Sequence, residues 1–89
     1  MRAVHIRVHG YVQGVGYRNA MREAANHLGH KGCARNRADG SVEAHAVGSK
    51  EQVEALLEWC NQGSAMSDVV EVLVADLEDA PHYSAFTAL

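Results

Sequence analysis

The order of strand-like and helix-like segments in this 89-residue chain predicts an α+β fold. The expected architecture is a ferredoxin-like two-layer sandwich, β-α-β-β-α-β with an extra C-terminal strand, its antiparallel sheet carrying two helices on one face. Three observations predict it. Three segments alternate apolar and polar residues with period two; two segments repeat apolar residues at i, i+3, i+4 and i+7; and an Asp-Gly turn separates the middle two strands.

Ala3 to His9 is the first strand, with Val4, Ile6 and Val8 on one face and His5, Arg7 and His9 on the other. Gly10 to Gly16 is a glycine-rich loop. A helix from Tyr17 to Leu28 follows, its stripe formed by Met21, Ala24, Ala25 and Leu28, and Gly29 suits the left-handed position just past its end. Lys31 to Asn36 is a short second strand. Arg37 to Gly40 is a tight turn, and Ser41 to Val47 alternates again with Val42, Ala44 and Ala46 on one face. Ser49 to Gln52 has the capping-box pattern, and Val53, Leu56, Leu57 and Cys60 form the second stripe, with Trp59 at its edge and Gly63 closing the helix. Val69 to Leu77 is a fourth strand in which Val70, Val72 and Val74 share a face. Pro81 breaks the pattern, and His82 to Thr87 reads as a terminal fifth strand or an extended segment.

Length points to one domain over residues 1–89, and 47% hydrophobic with 21% charged residues is a globular composition. The formal net charge of −3 argues against a nucleic-acid binder, which needs a basic face to neutralise phosphates. It leaves room for a local basic pocket taking one small anion. The alternating N-terminus is unlike a signal peptide, and no segment approaches membrane-spanning length. A cytoplasmic chain without membrane partners is therefore expected, and with it two reduced, packed thiols, Cys33 and Cys60, rather than a bridge.

The loop "HGYVQGVGYRN" (His9 to Asn19) carries the chemistry. It ends on Arg18, in the first turn of a helix, where the positive end of the dipole makes a lone cation unfavourable. Glycines let successive backbone N–H groups converge on an anion, and the helix start adds unpaired donors. With an anion present, a guanidinium there can grip two of its oxygens. The residues alone leave two readings open, a tight connection or an anion site. The spacing G-x3-G-x-G fits neither the dinucleotide nor the phosphate-loop fingerprint.

"VHGYVQGVGYR" (Val8 to Arg18) resembles the G-x-V-Q-G-V-x-[FY]-R segment of acylphosphatases. "GCARNRADGSVEAHAVG" resembles that family's second segment, keeping Gly32, Arg35, Asn36, Gly40, Val42 and Gly48 at its intervals. The resemblance implies hydrolysis of the carboxyl–phosphate bond of acyl phosphates, with inorganic phosphate as product and inhibitor. It implies that the main chain of Gln13, Gly14, Val15 and Gly16 cradles the phosphoryl oxygens, that Arg18 clamps them and that Asn36 orients the attacking water. It implies no metal or cofactor, and a monomer is the default. Two departures stand out: Cys33 replaces the usual aromatic residue, which should thin the packing beneath Asn36, and Gly63 to Val69 lacks the prolines common there.

Other candidates have plainer readings. His5 and His9 lie about 13 Å apart along one strand and cannot share an ion. His27 and His30 straddle a helix end without ligand-spaced partners, so solvent-facing histidines are expected. Arg7 and Arg35 read as solvated strand residues rather than as an extension of the basic surface around the pocket, Tyr17 and Met21 as loop-anchoring and core residues, and Glu51, Glu54 and Glu58 as the wet face of the second helix. Two alternative functions remain: an RNA-binding module, whose basic and aromatic strand motif is absent, and a catalytically silent anion-binding or regulatory module, distinguished by turnover.

Overall fold

The computed structural model describes residues 1–78 and 82–89, so the break expected at Pro81 lies outside the described residues. The elements follow the expected order: β1 (Arg2–Tyr11), α1 (Tyr17–His27), β2 (Lys31–Asn36), β3 (Val42–Gly48), α2 (Lys50–Gln62), β4 (Asp68–Asp76) and β5 (Phe86–Ala88). They build one five-stranded sheet in the order β4-β1-β3-β2-β5. β3 lies antiparallel between β1 and β2, which makes the split β-α-β of the ferredoxin-like class. The added strand makes the sheet mixed, because β5 pairs parallel with β2.

Period-two alternation works as expected in the central strands. Val4, Ile6, Val8, Val42, Ala44 and Ala46 all face the helices and are buried, meeting Tyr17, Met21 and Ala25 of α1 and Val53, Leu56 and Cys60 of α2. Each fully buried large aliphatic side chain of this kind contributes roughly 1.5–3 kcal/mol. Helix ends are fixed locally. At the C-terminus of α1, the His30 N–H donates to the Ala25 carbonyl at 2.8 Å and the Gly29 N–H to Asn26 at 3.1 Å, a Schellman closure. At the start of α2, the Gln52 N–H donates to Ser49 Oγ at 3.1 Å, while Gln52 Oε1 accepts from the Ser49 N–H at 2.7 Å.

β4 departs from the expected pattern. Its valines do not keep strict alternation, because the register against β1 shifts between His9 and Gly10: His9 pairs with Glu71 and Gly10 with Val69. Val70 is the extra residue of this bulge and is 78% exposed, whereas Val69 and Val72 pack on the core. Gly10 permits the close approach, since a Cβ there would collide with the Asp68 carbonyl oxygen and the Val70 nitrogen. β5 begins at Phe86, later than expected. Asn26 sets that start by donating Nδ2–H to the Phe86 carbonyl and accepting from the Phe86 N–H.

The sheet face away from the helices holds a charged cluster that corrects two expectations. Arg35 is solvated as expected and Arg7 only in part, but neither is independent: with Arg37 and His5 they converge on Glu43, Arg7 at 3.6, Arg35 at 3.8, Arg37 at 3.1 and His5 at 2.7 Å. The histidines are not uniformly solvent-facing either. His5 and His45 meet as tilted rings with centroids 5.3 Å apart, and His30 is buried with Nε2–H donating to the Gln52 carbonyl at 2.6 Å. Cys33 also lies on this face, opposite His45 and beside the Tyr83 hydroxyl, so it is not beneath Asn36, which belongs to the other face. Among the described residues, no helix is long and apolar enough to cross a membrane.

Candidate active site

The end of β1, the start of α1 and the end of β2 meet at one edge of the sandwich. Between them lies a cavity of about 200 Å³ lined by Val12, Gly14, Gly16, Tyr17, Arg18, Asn19 and Asn36. The fold thus brings together Gly14, Gly16, Arg18 and Asn36, the last contributed by a separate segment of the chain.

The loop conformation follows from its glycines. Gly14 and Gly16 sit at φ 76° and 79°, the left-handed region that side-chain-bearing residues rarely enter. Gly16 is also the N-cap of α1 and provides no side chain to satisfy the helix's first N–H groups, and the first turn contains no acidic residue. The first intrahelical bond runs from the Ala20 N–H to the Gly16 carbonyl at 2.9 Å. The N–H groups of Tyr17, Arg18 and Asn19 precede that bond at the positive end of the helix, and these three residues line the cavity.

Arg18 is held from outside the loop. Its Nη1–H donates to the main-chain oxygen of Leu89 at 2.6 Å, while Nε is buried with no partner among the described residues. A buried guanidinium donor without an acceptor is costly unless a ligand completes it. Beneath the loop, Tyr17 is fully buried, packs at a tilt against Trp59 with ring centroids 5.2 Å apart, and donates its hydroxyl to the Cys60 carbonyl at 2.9 Å. Burial raises the Tyr17 phenol far above its ordinary range, so it stays neutral.

The side chains of Gln13 and Val15 turn away from the cavity. Val15 packs on the core, and the Gln13 side chain turns to the β2–β3 turn, donating Nε2–H to the Arg37 carbonyl at 2.7 Å and the Ser41 carbonyl at 2.9 Å. Three lining residues were not anticipated as site residues: Val12 and Tyr17 as its apolar floor, and Asn19 at its rim. Leu89 was missed as well; nothing local to Arg18 signals an acceptor 71 positions away. Neither cysteine lines the cavity. Burial pushes the Cys60 thiol up to about 12, and Cys33 faces the opposite side of the sheet. Among the described residues, no three His, Cys, Asp or Glu side chains converge into a metal-binding group.

The Acylphosphatase family model matches residues 4–88, nearly the whole chain. The chain belongs to the acylphosphatase family. An acylphosphatase of Acidovorax sp. (strain JS42) is 50% identical over 72 residues, which cover 81% of this chain and 74% of that one. One from Thiobacillus denitrificans is 42% identical over 86 residues, covering 97% and 94%. The crystal structure of acylphosphatase from Bacillus subtilis superposes with a TM-score of 0.96 at 30% identity, covering 100% of this chain and 99% of that one. Family membership makes the chain a hydrolase and agrees with the resemblance carried by the glycine loop and the Asn36 segment.

Proposed function

We propose that the chain hydrolyses the carboxyl–phosphate bond of small acyl phosphates in the cavity between Gly14, Gly16, Arg18 and Asn36. In this reading the loop amides of residues 13–16 and the first N–H groups of α1 hold the phosphoryl oxygens. Arg18 grips the same group through its free guanidinium edge. Asn36, across the cavity on β2, orients a water toward phosphorus. The water oxygen bonds phosphorus as the P–O bond to the carboxylate breaks, and the water's proton ends on a phosphoryl oxygen.

The chemistry asks for little more. A carboxylate is a weak base and leaves without a strong general acid. What remains is to balance the charge spreading over the phosphoryl oxygens and to aim the water. A neutral amide positions well even though it is a poor base. The observation that carries the reading is the convergence of Arg18, with a buried unpartnered Nε, and Asn36 on one cavity rimmed by left-handed glycines. The small cavity recognises the phosphoryl end and leaves the acyl part outside, so broad acyl tolerance is expected, in a monomer of one domain.

The test is hydrolysis of benzoyl phosphate by the wild type and Arg18→Ala side by side, with and without a chelator. The reading expects turnover that survives chelation, competitive inhibition by inorganic phosphate, and loss of both turnover and inhibition in the variant. Phosphate binding without any turnover would reduce the site to a silent anion-binding module.

A further inference from the structure

The Gln13 side chain lies outside the cavity yet makes a two-pronged contact. One amide nitrogen reaches two carbonyl oxygens, Arg37 at 2.7 Å and Ser41 at 2.9 Å. Both partners only accept, so the nitrogen and its two hydrogens must face them. Those carbonyls are already ordered by the turn itself. The Arg37 N–H donates to the Ser41 carbonyl at 2.8 Å, and the Gly40 N–H to the Arg37 carbonyl at 3.2 Å. Asp39 braces the same turn, its Oδ1 accepting from the Ser41 N–H at 2.9 Å and from the Ser41 hydroxyl at 2.5 Å. Hydrogen bonds from Ser41 therefore hold the Asp39 carboxyl below its usual range. Gln13 thus docks on a rigid structure.

The position of this contact matters. Gln13 is adjacent to Gly14 of the loop, and Arg37 is adjacent to Asn36. One side chain therefore spans the two halves of the cavity, the half that holds the anion and the half that carries the amide facing it. We propose that Gln13 is a positioning residue that fixes the separation between the phosphate cradle and Asn36, and through it the aim of the attacking water. The proposal rests on the function proposed above.

Its consequence is a split between binding and turnover. The cradle and Arg18 lie together on the loop and α1, so phosphate affinity survives loss of the contact. The water's aim depends on the distance across the cavity, where displacement of about 1 Å costs up to about 100-fold in rate.

The test compares Gln13→Met, which keeps length but has no donor, and Gln13→Asn, one methylene too short to reach, each alone and combined with Asn36→Ala. For both Gln13 variants the expectation is kcat lowered about 10- to 100-fold with KM and the phosphate inhibition constant within about 3-fold. The combined variants should be no slower than Asn36→Ala alone, because both changes remove the same aim. Full kcat in Gln13→Asn would overturn the proposal. So would effects that multiply in the double variants, or a rise in KM and the phosphate constant at unchanged kcat. An Asn36→Ala enzyme as fast as wild type marks a different failure: the role given to Asn36 falls and takes this one with it.

Discussion

The Arg18 guanidinium donates to the main-chain oxygen of Leu89 across 2.6 Å. A side chain at the start of α1 is thereby steadied by the residue after β5, while its Nε stays buried and unpartnered among the described residues. One edge of the fork is anchored, and the other is the edge that the proposed function assigns to the phosphoryl group. This preorganisation means that little rotamer entropy is lost when an anion arrives.

The first prediction concerns that fork. Arg18→Ala should lower kcat/KM for benzoyl phosphate by at least about 100- to 1,000-fold, the loss typical of removing a preorganised donor to a developing oxyanion. Arg18→Lys keeps the charge but cannot both reach Leu89 and present two donors. It should recover only a small part of the loss. Steady-state kinetics on the two variants measures both effects.

Anchoring by β5 gives a second prediction. Phe86 is 2% exposed, and its backbone makes both bonds to Asn26. Phe86→Ala should cost about 3–5 kcal/mol of stability, as for other buried aromatic truncations. It should also raise KM, because a loosened β5 no longer holds Leu89 against Arg18. Urea unfolding and kinetics below the transition read the two effects separately.

The Glu43 cluster predicts acid sensitivity. The His5 hydrogen bond, followed by the charge and hydrogen bond of Arg37, lowers the Glu43 carboxyl despite its partial burial. A carboxylate lowered in the fold stabilises it fully above the ordinary value of 4.5, and that stability is lost as pH falls through the lower folded value. His45 acts in the same direction at higher pH. Burial, then the neighbouring His5, lowers its pKa from 6.5, so the unfolded chain takes up the proton first and stability declines as pH falls below 6.5. Denaturant midpoints should therefore fall in two stages, one below pH 6.5 and one below pH 4.5. Glu43→Gln should shrink the stage below 4.5, leaving the part contributed by the lowered Asp39 carboxyl, and cost about 1–3 kcal/mol at pH 7, between exposed and buried ion pairs.

Local rules made much of this fold legible. The period-two faces of β1 and β3, the Schellman closure at Gly29 and the Ser49 capping box each depend on residues a few positions apart, so their patterns survive in one dimension. The glycine loop, Arg18 and Asn36 were also readable, the last through the family's second segment. What stayed hidden is non-local. The β4 bulge depends on how Gly10 meets Asp68 and Val70, and Glu43 gathers cations from two separate stretches, Arg7 on β1 and Arg35 and Arg37 around the end of β2. The acceptor of Arg18 and the contacts of Gln13 lie 71 and up to 28 positions away, where no periodicity reaches.

The central claim is that main-chain amides at the β1–α1 junction, completed by one guanidinium, accept a phosphoryl group. A titration of the ¹⁵N-labelled chain with inorganic phosphate, followed amide by amide, tests it most directly. Saturable shifts should centre on Gly14 to Asn19 and on the Arg18 Nε–H, and should vanish in Arg18→Ala. Shifts that leave those amides still, or that persist undiminished in the variant, would contradict it.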